Sequence, residues 1–210
     1  MAQSETQPNP YRRSLLRQER SRQTRDALVH AALQLWRERG FDDTTIDDIS
    51  AAAGVARSTY YFHFADKQAL LRQVAGTSAA TIGTAVTKAG IADLSLDEAM
   101  GTFSSELARY VERLPRDLVA RITRSVLGGI GYLGEGHAAD QSFAGQLQAI
   151  FDAKRDDLAA GVDTVELGAV AAGMVMEGIL RWSLGTAKEA ELRDVIQARM
   201  RLVLDGSRRR

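Results

Sequence analysis

From Leu28 onward, apolar residues return at every third or fourth position, and that spacing leaves little but helix for this chain to form. Leu28, Ala31, Ala32, Leu35 and Trp36 share one side of a 3.6-residue repeat. The alternation a half-buried strand needs is scarce, and only three prolines interrupt 210 residues. The pattern predicts an all-α chain, and 45% hydrophobic residues are enough for a core. No run reads as a membrane span or as the apolar centre of a signal peptide. The opening "MAQSETQPNP" is polar and is expected to be disordered. There are no cysteines, which removes disulfides, thiolate nucleophiles and Cys-ligated zinc. Together these features predict a cytoplasmic protein.

The punctuation between helical runs is specific. Gly40 followed by Phe41 has the form of a helix C-cap with a hydrophobic residue folding back. Thr45 with Asp48 three residues on has the capping-box spacing, with Asp in place of Glu. Asp47 and Asp48 suit the positive end of the helix so begun. Ile46, Ile49, Ala52 and Ala53 are expected to form its buried face, and Gly54 ends it. A second short helix starts near Arg57, and Asp66 can cap a third that holds Leu70, Leu71 and Val74. Thr45 to Phe64 therefore reads as helix, tight turn, helix, with a supporting helix from about Thr24 to Arg39 in front. At 100° per residue, Tyr60 and Phe64 share a face and point toward Trp36, Ile49 and Leu70. Ser58, Thr59, Tyr61 and Phe62 point the other way, with Arg57 at the edge. Two exposed aromatics beside hydroxyls and a guanidinium fit a surface that meets DNA. Tyr and Thr hydroxyls bind phosphates, Arg binds guanine in two places, and apolar edges touch the thymine methyl.

Net charge is zero, so any attraction to a polyanion must be local. Arg12, Arg13, Arg17, Arg20, Arg22 and Arg25 stand against Glu19 in "YRRSLLRQERSRQTR". This basic arm can add phosphate or minor-groove contacts. Arg208 to Arg210 read as a solvated tail.

The rest of the chain predicts a helical bundle. Ser95 and Glu98 open a helix through Phe103, Leu107, Tyr110 and Leu114. Pro115 ends it or starts the next, through Leu118 and Ile122. "GGIGYLGEG", Gly128 to Gly136, is read as a flexible connection, since no strand precedes it and no Gly-Lys-Ser/Thr follows. A helix is expected from about Gln141 to Ala159. Val165 to Gly185 is nearly apolar all round and so is expected to be buried on more than one side. An amphipathic helix through Leu192, Val195, Ile196, Met200, Val203 and Leu204 follows. These last two helices are the expected homodimer interface, an isologous four-helix contact.

The segment "GFDDTTIDDISAAAGVARSTYYFHFADKQALL", Gly40 to Leu71, closely resembles the DNA-binding segment of the tetracycline-repressor (TetR) family of bacterial transcriptional regulators. The matching positions are Gly40-Phe41, Thr45, Ile49 with Ala52-Ala53-Gly54-Val55, Thr59-Tyr60 with His63-Phe64, and Lys67 with Leu70. The resemblance covers roughly the first third of the chain. It implies that Thr45, Tyr61, His63 and Lys67 contact phosphates, that Arg57, Ser58 and Thr59 face base edges, and that Phe62 either meets a thymine methyl or packs. Departures occur at Ala56, where the family usually has a Ser cap, at Ser58 for Gly, and at Ser50 for Ala. Asp42, Asp43, Asp47 and Asp48 place negative charge near the expected phosphates. The resemblance also implies an effector cavity in the bundle. Phe103, Tyr110, Phe151, Met174, Glu177 and Trp182 are candidate lining residues for a mostly apolar ligand, each with plain core packing as the alternative. Glu177 and Arg181, four apart, can instead pair with each other.

The resulting expectation is all-α. Residues 1–20 form a disordered or partly helical basic arm, 21–72 a three-helix helix-turn-helix domain, and 73–210 a larger ligand-binding and dimerisation bundle. The expected function is a homodimeric repressor, released from a palindromic double-stranded operator by a small apolar effector. No catalytic residue, metal site or cofactor is expected. No Glu-x-x-His pair and no Gly-x-Ser-x-Gly elbow occurs among the motifs, and the only histidines are His30, His63 and His137. A DNA-binding architectural protein, or a protein-interaction adaptor without a ligand switch, is the alternative.

Overall fold

A computed structural model describes residues 10–76, 93–128, 142–186 and 191–207. The chain forms helices α1 (Pro10–Arg39), α2 (Ile46–Ala52) and α3 (Arg57–His63). Helix α4 is described over residues 67–76. There follow α5 (Leu96–Val111), α6 (Arg116–Gly128), α7 (Phe143–Ala153), α8 (Thr164–Ser183) and α9 (Leu192–Ser207). Among the described residues there is no strand. The chain divides into two compact units, Met1–Leu70 and Leu71–Arg210. The glycine-rich stretch, apart from Gly128, and the terminal Arg208 to Arg210 lie outside the described residues.

Helix α1 begins well before the apolar repeat does. Residues 11–20 are exposed on every side, so no buried face holds them. Arg, Leu, Gln and Glu are good helix formers, and Glu19 accepts from Arg22 at 3.0 Å and from Gln23 at 3.3 Å. From Leu28 the same helix buries Leu28, Ala32, Leu35 and Trp36. Its end is closed as the Gly40-Phe41 pair predicts. Gly40 takes φ +87°, its N–H donates to the Trp36 carbonyl at 3.1 Å, and the Phe41 ring lies 5.0 Å from that of Trp36.

The next two helices are short and sharply bounded. Thr45 and Asp48 form a complete capping box on α2. Gly54, at φ +69°, supplies the turn into α3 that an L side chain would resist. Ala56 precedes α3 with no side-chain cap, as the missing Ser implies. Asp66 Oδ1 accepts the Ala69 N–H at 2.6 Å at the start of α4. Ile49, Tyr60, Phe64 and Leu70 are buried in this unit with Leu28 and Trp36.

In the second unit α8 is the centre, packing on α6, α7 and α9, while α9 also packs on α5. Ser95 and Glu98 form the capping box that opens α5. Asp163 caps α8 by accepting from the Val165 and Glu166 N–H groups. The helix expected to reach Ala159 stops at Ala153. A 3-10 turn, Arg155–Asp157, and Gly161 at φ +84° turn the chain back. That turn is tied by Thr164 Oγ1 donating to Asp152 at 2.6 Å and by Arg155 donating to the Val162 carbonyl at 3.2 Å. Helix α8 buries Ala171, Ala172, Val175, Ile179 and Trp182, yet leaves Val165 and Val170 exposed, as are Leu184 at its C-cap and Leu202 on α9.

Small residues let these helices approach. A Cβ at Gly168 would stand 2.8 Å from the Ala144 carbonyl oxygen on α7, a backbone atom that cannot step aside. At Gly101, inside α5, a Cβ would meet only the Gln197 amide at an ordinary 3.8 Å. Gly168→Ala should therefore lower the unfolding free energy by about 1–3 kcal/mol. Gly101→Ala should raise it by about 0.5–1 kcal/mol, the helix-propensity gain alone. Urea unfolding of the two variants beside the parent chain separates packing from propensity.

Candidate nucleic-acid interface

Helix α3 sorts its residues into rows by the helical repeat. Tyr60, with Phe64 at the C-cap, is the inward row, and their rings lie 5.8 Å apart. Burial and the Asp66 carboxylate push the Tyr60 phenol up to about 12, so it keeps the proton it donates to the Asp66 carbonyl at 3.0 Å. Arg57 with Tyr61, and Ser58 with Phe62, are the exposed rows. Thr59 and His63 lie half-buried between the Ser58–Phe62 row and the inward row. Phe62 is 75% exposed, so packing within this chain does not account for it.

Six of the eight residues expected to meet DNA, Arg57 to Thr59 and Tyr61 to His63, thus stand together on one seven-residue helix. Thr45 stands exposed at the start of α2. Its hydroxyl donates to Asp48 Oδ2 at 2.5 Å and accepts the Asp48 N–H at 3.1 Å. Lys67 is bonded within the chain. Its ammonium is turned inward, donating to the carbonyls of Phe41 at 2.6 Å and Thr44 at 2.8 Å and lying 4.4 Å from the Phe41 ring centroid. It ties the α1–α2 loop to the start of α4 by supplying a donor to loop carbonyls that lie outside any helix.

The acidic residues near this face are partly neutralised within the chain. Asp48 is held below the usual carboxylate range, first by the Thr45 hydroxyl and N–H, with Arg39 contributing at 3.9 Å. Asp47 Oδ2 lies 2.7 Å from Arg57 Nη1. Arg57 Nη2 also donates to the Tyr61 hydroxyl at 3.3 Å. Reading by helical face missed this Asp47–Arg57 contact, because the partners are ten positions apart on different helices. It also missed Arg25, whose guanidinium lies 4.8 Å from the Phe64 ring centroid. Partial burial first, and Arg25 second, lower the His63 imidazole pKa below its ordinary 6.5. At neutral pH His63 offers a hydrogen bond rather than a full charge.

The six candidates for an effector cavity lie on α5, α7 and α8. Phe103 and Phe151 are fully buried, and Phe103 lies 5.6 Å from the Phe143 ring. Trp182 is buried and carries the Arg116 guanidinium 4.4 Å from its ring centroid. Tyr110 and Met174 are half-buried. Glu177 is not an interior group: it is exposed and pairs with Arg199 at 3.0 Å and Arg181 at 3.6 Å. A cleft of about 360 Å³ between α5 and α9 is lined by other residues, among them Met100, Ser104, Gln197, Met200 and Arg201.

Residues 28–74 match the family model of bacterial regulatory proteins, tetR family. Over 54 residues, 26% of each chain, the protein is 41% identical to the HTH-type transcriptional repressor BepR of Brucella suis biovar 1 (strain 1330). Over 53 residues it is 42% identical to the HTH-type transcriptional regulator TcmR of Streptomyces glaucescens, covering 25% of this chain and 24% of that one. The match thus spans about a quarter of the length of these curated relatives. In fold the likeness runs further. The crystal structure of Thermus thermophilus FadR, a TetR-family transcriptional repressor in complex with lauroyl-CoA, superposes with a TM-score of 0.73 at 23% identity, covering 89% of this chain and 96% of that one.

Two measurements test this geometry. Lys67→Ala should destabilise the chain by about 1.5–3 kcal/mol, the range for hydrogen bonds to a charged group, whereas Tyr61→Ala should change stability by less than about 0.5 kcal/mol, as for an exposed residue. Thermal unfolding distinguishes them. The folded pKa of His63 lies below its unfolded value. The folded state therefore takes up the proton less readily, and the stability this group contributes is lost as pH falls through 6.5. An NMR titration should give a His63 midpoint below 6.5, and Arg25→Gln should move that midpoint upward.

Proposed function

We propose that this chain, whose residues 28–74 match the model of the tetR family of bacterial regulatory proteins, belongs to that family and is a sequence-specific DNA-binding repressor of transcription acting in the cytoplasm. The observation that carries the proposal is α3 itself, a helix-turn-helix second helix that buries Tyr60 and leaves Arg57, Ser58, Tyr61 and Phe62 outward. On this reading residues 21–72 are the DNA-reading domain. Arg57, Ser58 and Thr59 face base edges, Phe62 meets a thymine methyl, and Thr45, Tyr61 and His63 set the register on phosphates. Lys67 holds the loop that presents Thr45 rather than a phosphate of its own.

A seven-residue helix reads few bases, so the proposal includes a homodimer on a palindrome, its half-sites a helical turn or more apart. Residues 73–210 would pair two copies through α8 and α9. The exposed Val170, Leu184 and Leu202, the last 65% exposed, support this, since apolar side chains on adjoining helices favour a partner. The same region would take a mostly apolar effector, whose binding favours a conformation that releases DNA. The acyl chain of the FadR ligand is an apolar group of the kind proposed.

Selection from random duplex DNA with the purified chain, at low and moderate salt, tests the central reading. The expected result is a palindromic motif that survives moderate salt and is lost with Tyr61→Ala. Binding that vanishes with salt and leaves no motif would favour the architectural or adaptor alternative. Light scattering should give twice the chain mass, falling to one chain with Leu202→Glu.

A further inference from the structure

The closest charge contact between α2 and α3 joins the residue most suited to reading guanine to an acid. Asp47 sits in the first turn of α2 and Arg57 is the first residue of α3. Asp47 Oδ2 and Arg57 Nη1 are 2.7 Å apart, with side chains 61% and 59% exposed respectively. Arg57 Nη2 donates to the Tyr61 hydroxyl at 3.3 Å, and the guanidinium lies 5.7 Å from the Tyr61 ring centroid. Exposed ion pairs add little to stability, and the favourable place of Asp47 in the first turn of α2 does not by itself require its contact with Arg57.

Resting on the DNA-binding reading above, we propose that Asp47 is a positioning residue that makes Arg57 a reader of guanine rather than a binder of phosphate. An unpaired arginine beside a duplex is drawn to the nearest phosphate, where charge alone decides and no sequence is read. Pairing with Asp47 cancels the net charge of the two side chains but leaves most of the five guanidinium N–H donors free. Held at Nη1 by the carboxylate and at Nη2 by the phenol, the planar group keeps one orientation. Its free donors then satisfy acceptors lying in that plane, as guanine O6 and N7 do, and a stray phosphate oxygen gains little. The opposite role for Asp47, a competitor that merely holds Arg57 off DNA, makes a different prediction.

The experiment uses the full chain and Asp47→Asn, which keeps the size and an acceptor oxygen but removes the charge. Duplexes selected by the parent chain are altered one base pair at a time and titrated at several salt concentrations. Asp47→Asn should lose about tenfold of its discrimination at one G·C pair in each half-site and none elsewhere. Its affinity should depend more steeply on salt, by about one released ion. In an Arg57→Ala background, Asp47→Asn should change neither quantity, and thermal unfolding should stay close to the parent's in both. The inference is overturned if Asp47→Asn binds more tightly with base preference intact, which is the competitor's signature, or if it matches the parent in both readouts. A parent chain that selects no motif defeats the DNA-binding reading and this inference together. A clear parental motif left unchanged by Asp47→Asn defeats only the inference.

Discussion

Helices α2 and α3 hold seven residues each, about half of what an isolated helix needs to persist in water. Both exist because of what they bury. Trp36 on α1, Ile49 on α2 and Tyr60 on α3 are fully buried, and Phe64 and Leu70 are buried in the same unit. The same burial creates the surface proposed to read DNA. A short helix that must turn Tyr60 inward has no freedom over which residues it turns outward, so Arg57, Ser58, Tyr61 and Phe62 are presented by the packing of their neighbour. The Lys67 ammonium, bound to carbonyls of the α1–α2 loop, fixes the segment from which Thr45 projects.

Electrostatics on this face is decided at single residues. The chain has zero net charge, and two carboxylates sit in the first turn of α2. Asp48 is absorbed into the capping box and Asp47 into the contact with Arg57. Each acid therefore has a local partner that limits its repulsion of phosphate. His63 is similarly tuned, its proton disfavoured by partial burial and by Arg25. The face is therefore richer in directional hydrogen bonds than in charge, which suits selection among base sequences more than general attraction to DNA.

The two halves of the chain meet different physical demands. Sequence identity to curated regulators is confined to about a quarter of the chain, while likeness of fold extends over 89% of it in one solved structure. A helix-turn-helix needs a capped start, a glycine at positive φ and aromatic residues in register, so its sequence is constrained position by position. A helical bundle needs apolar residues at helical spacing and small residues where axes approach, as Gly168 and Gly178 provide between α8 and its neighbours. Many sequences meet that weaker demand.

Local signals were legible in the residues alone: the caps at Thr45, Ser95 and Asp66, the turns at Gly40 and Gly54, and the inward pair Tyr60 and Phe64. Each depends on neighbours within four positions, the range over which a helix repeats and a cap closes. The apolar stripe also identified α9 and its buried side without error. The end of α7 at Ala153, the inward turn of Lys67, the exposure of Glu177 and the pairing of Asp47 with Arg57 were decided by tertiary structure. In each case a partner lies on another element, Arg199 for Glu177, and sequence spacing carries no record of that contact, whereas the Glu177–Arg181 pair four positions apart was legible. The residues determined which helices form and which faces they bury; packing determined which of the polar groups left over meet one another and which remain for a partner.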